Sequence, residues 1–341
     1  MCDMRNLRNM DNIKFGGPYA AVMKMAFQFI GVLGVFLCFF ARNAHAGQLR
    51  FNIIDYTTDF ILYADKYPAD DMRAKFKWWL DYEQKYSKYL DAIYWSDAYP
   101  GIYESHRKKI LWKRLPALFD ATQQAKYLSK NMPLFLDKLS KFADSFCREQ
   151  FQVDVVLAIS PVLIDAKTQW FGNNHNMVHI NSLSSSFFDD SQTEIILAHE
   201  TFHSLQEQIL LRKKEKINYA SIAGKIVAEG MATYFSSLYL NHADISAVLL
   251  LSKKDYDNLT SKERVLAQDI YEVFESSNRK IIKSYFAYGG GQYPPRSGYY
   301  ISYVIIKRLT NKHDFKVLTY LGPDELERLV KNELKLIAEG L

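Results

Sequence analysis

The chain has 341 residues, of which 48% are hydrophobic and 24% charged, so it has the composition of a globular protein and not of a disordered or fibrous one. Its 43 Lys and Arg residues against 38 Asp and Glu residues give a net charge of +5. That excess is too small for a dedicated nucleic-acid binder, and we expect no nucleic-acid partner. Aromatic residues make up 15% of the chain, which indicates a large aromatic core or an aromatic-lined cleft.

The first predicted element is an export signal within residues 1–46. Lys24 precedes the segment 25–41, which is apolar except for Gln28, and the sequence Ala-His-Ala follows at 44–46. A positive charge, an apolar segment and small residues in this order are the pattern that a signal peptidase reads. We therefore predict cleavage after residue 46 and a periplasmic or secreted protein. The alternative is an uncleaved membrane anchor, for which this segment is short.

Removal of residues 1–46 would leave a nearly neutral chain with one cysteine. Five basic and two acidic residues lie in that segment, and so do Cys2 and Cys38. Because only Cys147 remains, no disulfide can form within the mature chain. Its stability must come from burial of a core, for which the remaining length is ample.

The rest of the chain reads as mainly helical with one small sheet. Residues 50–150 place apolar residues three and four apart, which predicts an N-terminal helical region over 47–150. Strands are predicted at 153–159, which is rich in β-branched residues, and at 176–183, which alternates. From residue 191 onward the pattern is again mostly helical, so the fold class is predicted to be α+β. A second region is predicted over 151–341.

Residues 199–203 read His-Glu-Thr-Phe-His, the pattern H-E-x-x-H. On a helix, positions i and i+4 lie on one face, so the imidazoles of His199 and His203 can reach the same metal ion. Glu200 lies beside them and can accept a proton from water. The sequence Ser-Gln-Thr-Glu at 191–194 is a capping-box pattern that would begin this helix. A chance occurrence on an ordinary amphipathic helix is the alternative.

A third ligand is predicted at Glu229, which lies 26 residues after His203 in a second helical segment. The residues around it are apolar, and a carboxylate buried there requires a cation or a metal ion. Ala228, Gly230 and Ala232 are small, so this helix can approach another closely. A catalytic zinc ion takes three protein ligands and keeps a fourth position for water, which His199, His203 and Glu229 would provide.

These motifs resemble those of the gluzincin metallopeptidases, in which H-E-x-x-H lies on one helix and a glutamate in an E-G-x-A-x-Y context on the next. They are still more similar to predicted zinc-dependent peptidases of uncharacterised-domain families that share H-E-x-x-H, E-G-x-A and a later G-Y motif. The resemblance covers about residues 176–309 and implies a zincin-like fold over 151–341. The chain has Thr233 where thermolysin-like enzymes have an aspartate, and it lacks the G-x-M-E-N exopeptidase signature.

The resemblance implies a Zn²⁺-dependent peptidase with Glu200 as general base and a peptide or protein as substrate. It also implies that a tyrosine of a later helix stabilises the oxyanion, for which Tyr299 and Tyr300 are the candidates, together with Arg296. A core or surface role is the alternative for each tyrosine. The glycines at 289–291 could form a flap over the cleft or a plain loop. A zinc-binding scaffold of the cell envelope without catalysis is the alternative function.

Two further histidines, His175 and His179, are four residues apart but lie at the beginning of a predicted strand. Four-residue spacing does not bring side chains together there, so we predict that neither is a ligand. We expect residues 177–182 to border the cleft as an edge strand that pairs with an extended peptide. Membrane contact is expected only if the N-terminal segment is uncleaved.

Overall fold

The structure is a computed structural model that describes residues 49–67, 71–91, 109–114, 122–160, 165–171, 175–182, 189–241, 244–287 and 293–341. The predicted export signal and the glycines at 289–291 lie outside these residues. No helix within them is long and apolar enough to cross a membrane.

A mixed four-stranded sheet lies at the centre of the fold, with the spatial order β1-β2-β4-β3. Its strands are β1 (Leu49–Asp55), β2 (Phe151–Ala158), β3 (Ala166–Phe171) and β4 (His175–Asn181). The first three strands in this spatial order run parallel, and β3 joins β4 in the antiparallel direction. Strand β3 is therefore one edge of the sheet.

The sheet corrects two expectations from the sequence and contains one strand that the sequence did not indicate. Residues 49–55 are a strand and not part of a helix, and Phe51 pairs with Val153 across the sheet. Strand β3 was absent from the prediction altogether. Strand β4, predicted as an edge strand, is central, because it pairs with β2 on one side and β3 on the other. The N-terminal region thus contributes to the same sheet as the residues that follow it.

Besides helical residues 109–114 and a 3₁₀ helix (Asp144–Phe146), helices over the following ranges accompany the sheet. They are α1 (Thr57–Lys66), α2 (Met72–Leu90), α3 (Thr122–Ala143), α4 (Asp190–Arg212), α5 (Ile222–Tyr239), α6 (Ile245–Val248), α7 (Lys253–Ser261), α8 (Glu263–Glu272), α9 (Arg279–Phe286), α10 (Ser297–Thr310), α11 (Phe315–Thr319) and α12 (Pro323–Glu339). The predicted class, α+β with mostly helices and one small mixed sheet, is confirmed.

The sheet separates two apolar cores. Along β2, Val153 and Val155 contribute to the larger core, which also contains residues of α3, α4, α5 and α10. Val156 and Ala158 of the same strand contribute to the smaller core beneath α1 and α2. Side chains of a strand alternate between faces, so a strand covered on both sides reads as the continuous apolar run seen in the sequence. Gly47–Leu341 form one compact unit.

Candidate metal centre

Helix α4 brings His199 and His203 together. The helix begins with Asp189 as N-cap, whose carboxylate accepts from the backbone N–H of Ser191 at 2.7 Å, so the cap lies two residues before the predicted one. Phe202 of α4 is buried in the larger core. One helical turn then places the two imidazole Nε2 atoms 3.1 Å apart.

Helix α5 supplies Glu229. The helix begins at the cap Ser221, whose hydroxyl oxygen accepts from the backbone N–H of Gly224 at 3.1 Å. Glu229 is only 5% exposed, and its Oε2 atom lies 3.1 Å from Nε2 of His199 and 3.3 Å from Nε2 of His203. The structure thus brings together all three residues that the sequence singled out as ligands.

A close helix contact beside Glu229 sets the position of α10. A Cβ atom added to Gly230 would lie 2.8 Å from the backbone oxygen of Ser302 and 2.9 Å from Cγ1 of Ile306, both on α10. Only glycine permits this approach. The prediction that small residues let this helix pack tightly against another is confirmed, and the contact places the beginning of α10 near the three ligands.

The donor set of this cluster suits zinc. Two imidazole nitrogens and one carboxylate oxygen are ligands that zinc prefers. For tetrahedral coordination at about 2.0–2.1 Å, ligand atoms are about 3.3 Å apart, close to the 3.1–3.3 Å separations here. Within the described residues, no other group of histidine, cysteine and acidic side chains meets the geometry of a metal site. The cluster is therefore compatible with a zinc ion.

The charges around the cluster keep the third ligand ionised. Burial alone would raise the pKa of the Glu229 carboxyl, but Lys225 and the two imidazoles hold that pKa well below its usual range. Burial lowers the pKa of His199. Burial alone would also lower the pKa of His203, but the carboxylates of Glu229 and Glu200 outweigh this effect and raise the pKa of the imidazole. An ionised carboxylate and neutral imidazoles are the forms that bind a metal ion.

Glu200 is held by the edge strand of the sheet. Thr168 of β3 points towards α4, and its hydroxyl lies 2.8 Å from Oε2 of Glu200 and 2.7 Å from the backbone oxygen of the same residue. A hydroxyl donates a single proton, which these two acceptors share. Sequence reasoning missed Thr168 because strand β3 itself was missed.

The two candidate tyrosines point in different directions. Tyr299 borders the cavity, with its ring centroid 6.2 Å from that of His199, and the guanidinium of Arg296 lies 4.1 Å above its ring. Tyr300 instead donates from its hydroxyl to Glu263 at 2.5 Å. Successive helix residues point about 100° apart, so only one of the two can face the ligands. Of the two predicted tyrosines, Tyr299 is therefore the one that lies beside the ligands, and Tyr300 is not among the residues that line the cavity.

A cavity of about 260 Å³ opens beside the three ligands. Besides the ligands, Glu200, Thr168 and Tyr299, it is lined by Ala166, Lys167, Glu207, Tyr219 and Lys225. Burial lowers the pKa of Lys167 to about 8. Lys167, Glu207 and Lys225 lie outside the motifs recognised in the sequence, which therefore did not single them out.

His179 contacts the smaller core and lies away from the three predicted ligands. It is 1% exposed on β4, and its Nδ1 atom is hydrogen-bonded to the hydroxyl of Tyr89 on α2. Burial lowers its pKa to about 3, so the imidazole is neutral. The prediction that His179 is not a ligand agrees with this position.

Comparison with known proteins gives one match. No curated protein and no solved structure is significantly similar to the chain. The profile of a family described as "Predicted Zn-dependent protease (DUF2268)" matches residues 145–326, slightly more than half of the chain. The matched range contains strands β2 to β4, the three clustered ligands and Tyr299. The protein therefore belongs to the predicted Zn-dependent protease family DUF2268.

Proposed function

We propose that the protein is a zinc-dependent peptidase with His199, His203 and Glu229 as metal ligands. The observation that carries the proposal is the convergence of two imidazoles and one buried carboxylate within 3.1–3.3 Å of one another beside an open cavity. The family match supports the same reaction class. The export signal predicted over residues 1–46 supports action in the periplasm or outside the cell.

In this proposal Glu200 is the general base. A bound zinc ion would supply Lewis acidity, which makes water nucleophilic near neutral pH and polarises the scissile carbonyl. Glu200 borders the same cavity as the ligands, and Thr168 fixes the orientation of its carboxylate. It would accept the proton of the attacking water and pass it to the leaving amine.

Tyr299 is the proposed donor to the carbonyl oxygen as negative charge develops there. Burial raises the pKa of its hydroxyl, and the nearby Glu229 carboxylate raises it further, so the phenol stays protonated at neutral pH. A protonated phenol at the cavity wall can donate a hydrogen bond to an oxyanion.

The proposed substrate is an extended peptide that lies along β3. Strand β3 is an edge strand of the described sheet, and Ala166, Lys167 and Thr168 of this strand line the cavity. An exposed strand edge pairs with an extended chain through backbone hydrogen bonds. This proposal moves the peptide from β4, which is central, to β3.

The test is cleavage of an unstructured protein by the purified chain with and without a chelator. We expect Glu200→Gln to lower the rate about 10²–10⁴-fold, the contribution of a positioned general base, and to retain zinc. Glu263→Gln, which makes the same change at the partner of Tyr300 outside the cavity, is the matched control and should retain activity. Full activity of Glu200→Gln, or of the chelator-treated protein, would contradict the proposal. Zinc binding without cleavage by the unmodified protein would favour the scaffold alternative.

A further inference from the structure

The two oxygens of the Glu229 carboxylate have different partners. Oε2 faces both imidazoles, whereas Oε1 lies 2.9 Å from the ammonium of Lys225, one turn earlier on α5. The side chain of Glu229 is 7% exposed and that of Lys225 is 27% exposed. Lys225 therefore contacts the predicted ligand from within the cavity wall, at the one oxygen that does not face the imidazoles.

Stabilisation of the helix does not account for the contact between Lys225 and Glu229. Salt bridges between residues i and i+4 stabilise a helix by about 0.2–0.5 kcal/mol, and the order with glutamate first is the better one. Here lysine comes first. Burial of Glu229 also removes it from the water that would otherwise satisfy both of its oxygens, so the ammonium takes the place of solvent at Oε1.

We infer that Lys225 is a positioning residue for the metal ligand, an inference that rests on the proposed function. The terminal torsion of a glutamate is broad, so a carboxylate with one contacted oxygen can rotate. A charge-assisted hydrogen bond at Oε1 fixes the carboxylate plane. Oε2 is then the single oxygen that faces His199 and His203. This orientation suits a tetrahedral site in which each residue supplies one ligand atom.

In this assignment Lys225 holds the Glu229 carboxylate in position for a metal ion. The three ligand atoms lie within 4.8 Å of one another. Two imidazoles offer Glu229 hydrogen bonds at Oε2 only, and Lys225 supplies the remaining contact. Removing one partner of a buried ion pair leaves the other without compensation. Without Lys225, Glu229 would therefore lose the contact that fixes its orientation before a metal ion arrives.

The experiment is a zinc titration of the full chain in competition with a chromophoric chelator. We expect Lys225→Met to weaken zinc binding about 10–100-fold, the usual effect of losing a group that orients a ligand. Lys225→Arg, which keeps the charge and the donor, should restore at least part of that affinity. Lys253→Met is the matched control, because Lys253 also pairs with the residue four positions later, Asp257, but on the exposed helix α7.

Urea unfolding in the presence of chelator checks that each variant folds. If Lys225→Met does not fold, Lys225→Gln, which keeps a neutral donor, replaces it with the same expectation. The inference would be overturned if the uncharged variant bound zinc as tightly as the unmodified protein. It would also be overturned if Lys225→Arg lost as much zinc affinity as the uncharged variant. If the unmodified protein binds no zinc, the proposed function itself fails. Tight binding by both the unmodified protein and the uncharged variant would overturn only the role of Lys225.

Discussion

Thr168 shows how one residue of the sheet controls a residue of the candidate site. Its hydroxyl lies within hydrogen-bond distance of both the carboxylate and the backbone oxygen of Glu200. Hydrogen bonds to charged groups contribute about 1.5–3 kcal/mol. Such a contact restricts the carboxylate to the orientation in which it borders the cavity.

We predict that Thr168→Val lowers kcat at least about 10-fold, because a general base that is not held loses its alignment. Thr168→Ser keeps the hydroxyl and should remain close to the unmodified protein. Steady-state cleavage of a fluorogenic peptide, with zinc content measured in parallel, checks this. A normal kcat in the valine variant would show that Glu200 needs no support from β3.

At the residue scale, the sequence predicted what local spacing determines. His199 and His203 follow from the helical repeat, and Glu229 follows from a carboxylate in an apolar helix. Thr168 and Lys225 could not be singled out, because their roles depend on contacts that no motif records. The choice between Tyr299 and Tyr300 depended on the direction in which α10 faces the ligands, which adjacent positions in a sequence do not reveal.

At the scale of the elements, the contact between α5 and α10 positions the cavity wall. Gly230 follows the ligand Glu229 directly, and a Cβ atom added to it would lie 2.8 Å from the backbone oxygen of Ser302. Tyr299 is less than one turn before Ser302 on α10. The separation of these two helices therefore sets the distance of Tyr299 from the ligands.

We predict that Gly230→Ala lowers the free energy of unfolding by up to about 2 kcal/mol. Alanine favours a helix over glycine by about 1 kcal/mol, but overpacking against a backbone that cannot move aside costs typically 1–3 kcal/mol. Urea unfolding with chelator present measures the difference. A variant as stable as the unmodified protein, or more stable, would mean that helix propensity dominates and that α10 can shift.

At this scale, the sequence does not indicate two of the four strands, β1 and β3. Residues 153–159 were recognised because β2 is buried on both faces. The sequence of strand β1 predicts a helix, because Ile53 and Ile54 fit a helical repeat and the strand's partner lies about a hundred residues away. Strand β3 contains Lys167, Thr168 and Gln169, a polar sequence that carries no strand signal, and it forms only by pairing with β4.

At the scale of the whole molecule, a buried imidazole joins the N-terminal helices to the sheet. His179 of β4 lies against Tyr89 of α2 in the smaller core. Burial lowers its pKa to about 3, whereas an unfolded histidine has a pKa of about 6.5. Between these values the unfolded chain binds a proton and the folded protein does not, so stability rises with pH in that window.

We predict that acidification from pH 6.5 to 5 lowers the free energy of unfolding by about 2 kcal/mol through this residue, at about 1.4 kcal/mol per unit. His179→Gln removes the titrating group and should reduce the pH dependence by that amount. Both proteins are compared by urea unfolding with chelator present, so that metal binding does not contribute. The same pH dependence in both would contradict the assignment.

The central claim, that two helices hold one zinc ion through His199, His203 and Glu229, is tested most directly by native mass spectrometry of the full chain titrated with zinc. We predict one zinc ion per chain in the unmodified protein and in Glu200→Gln, and none at the same zinc concentration in Glu229→Ala. A zinc-free spectrum of the unmodified protein, or undiminished zinc binding by Glu229→Ala, would contradict the account.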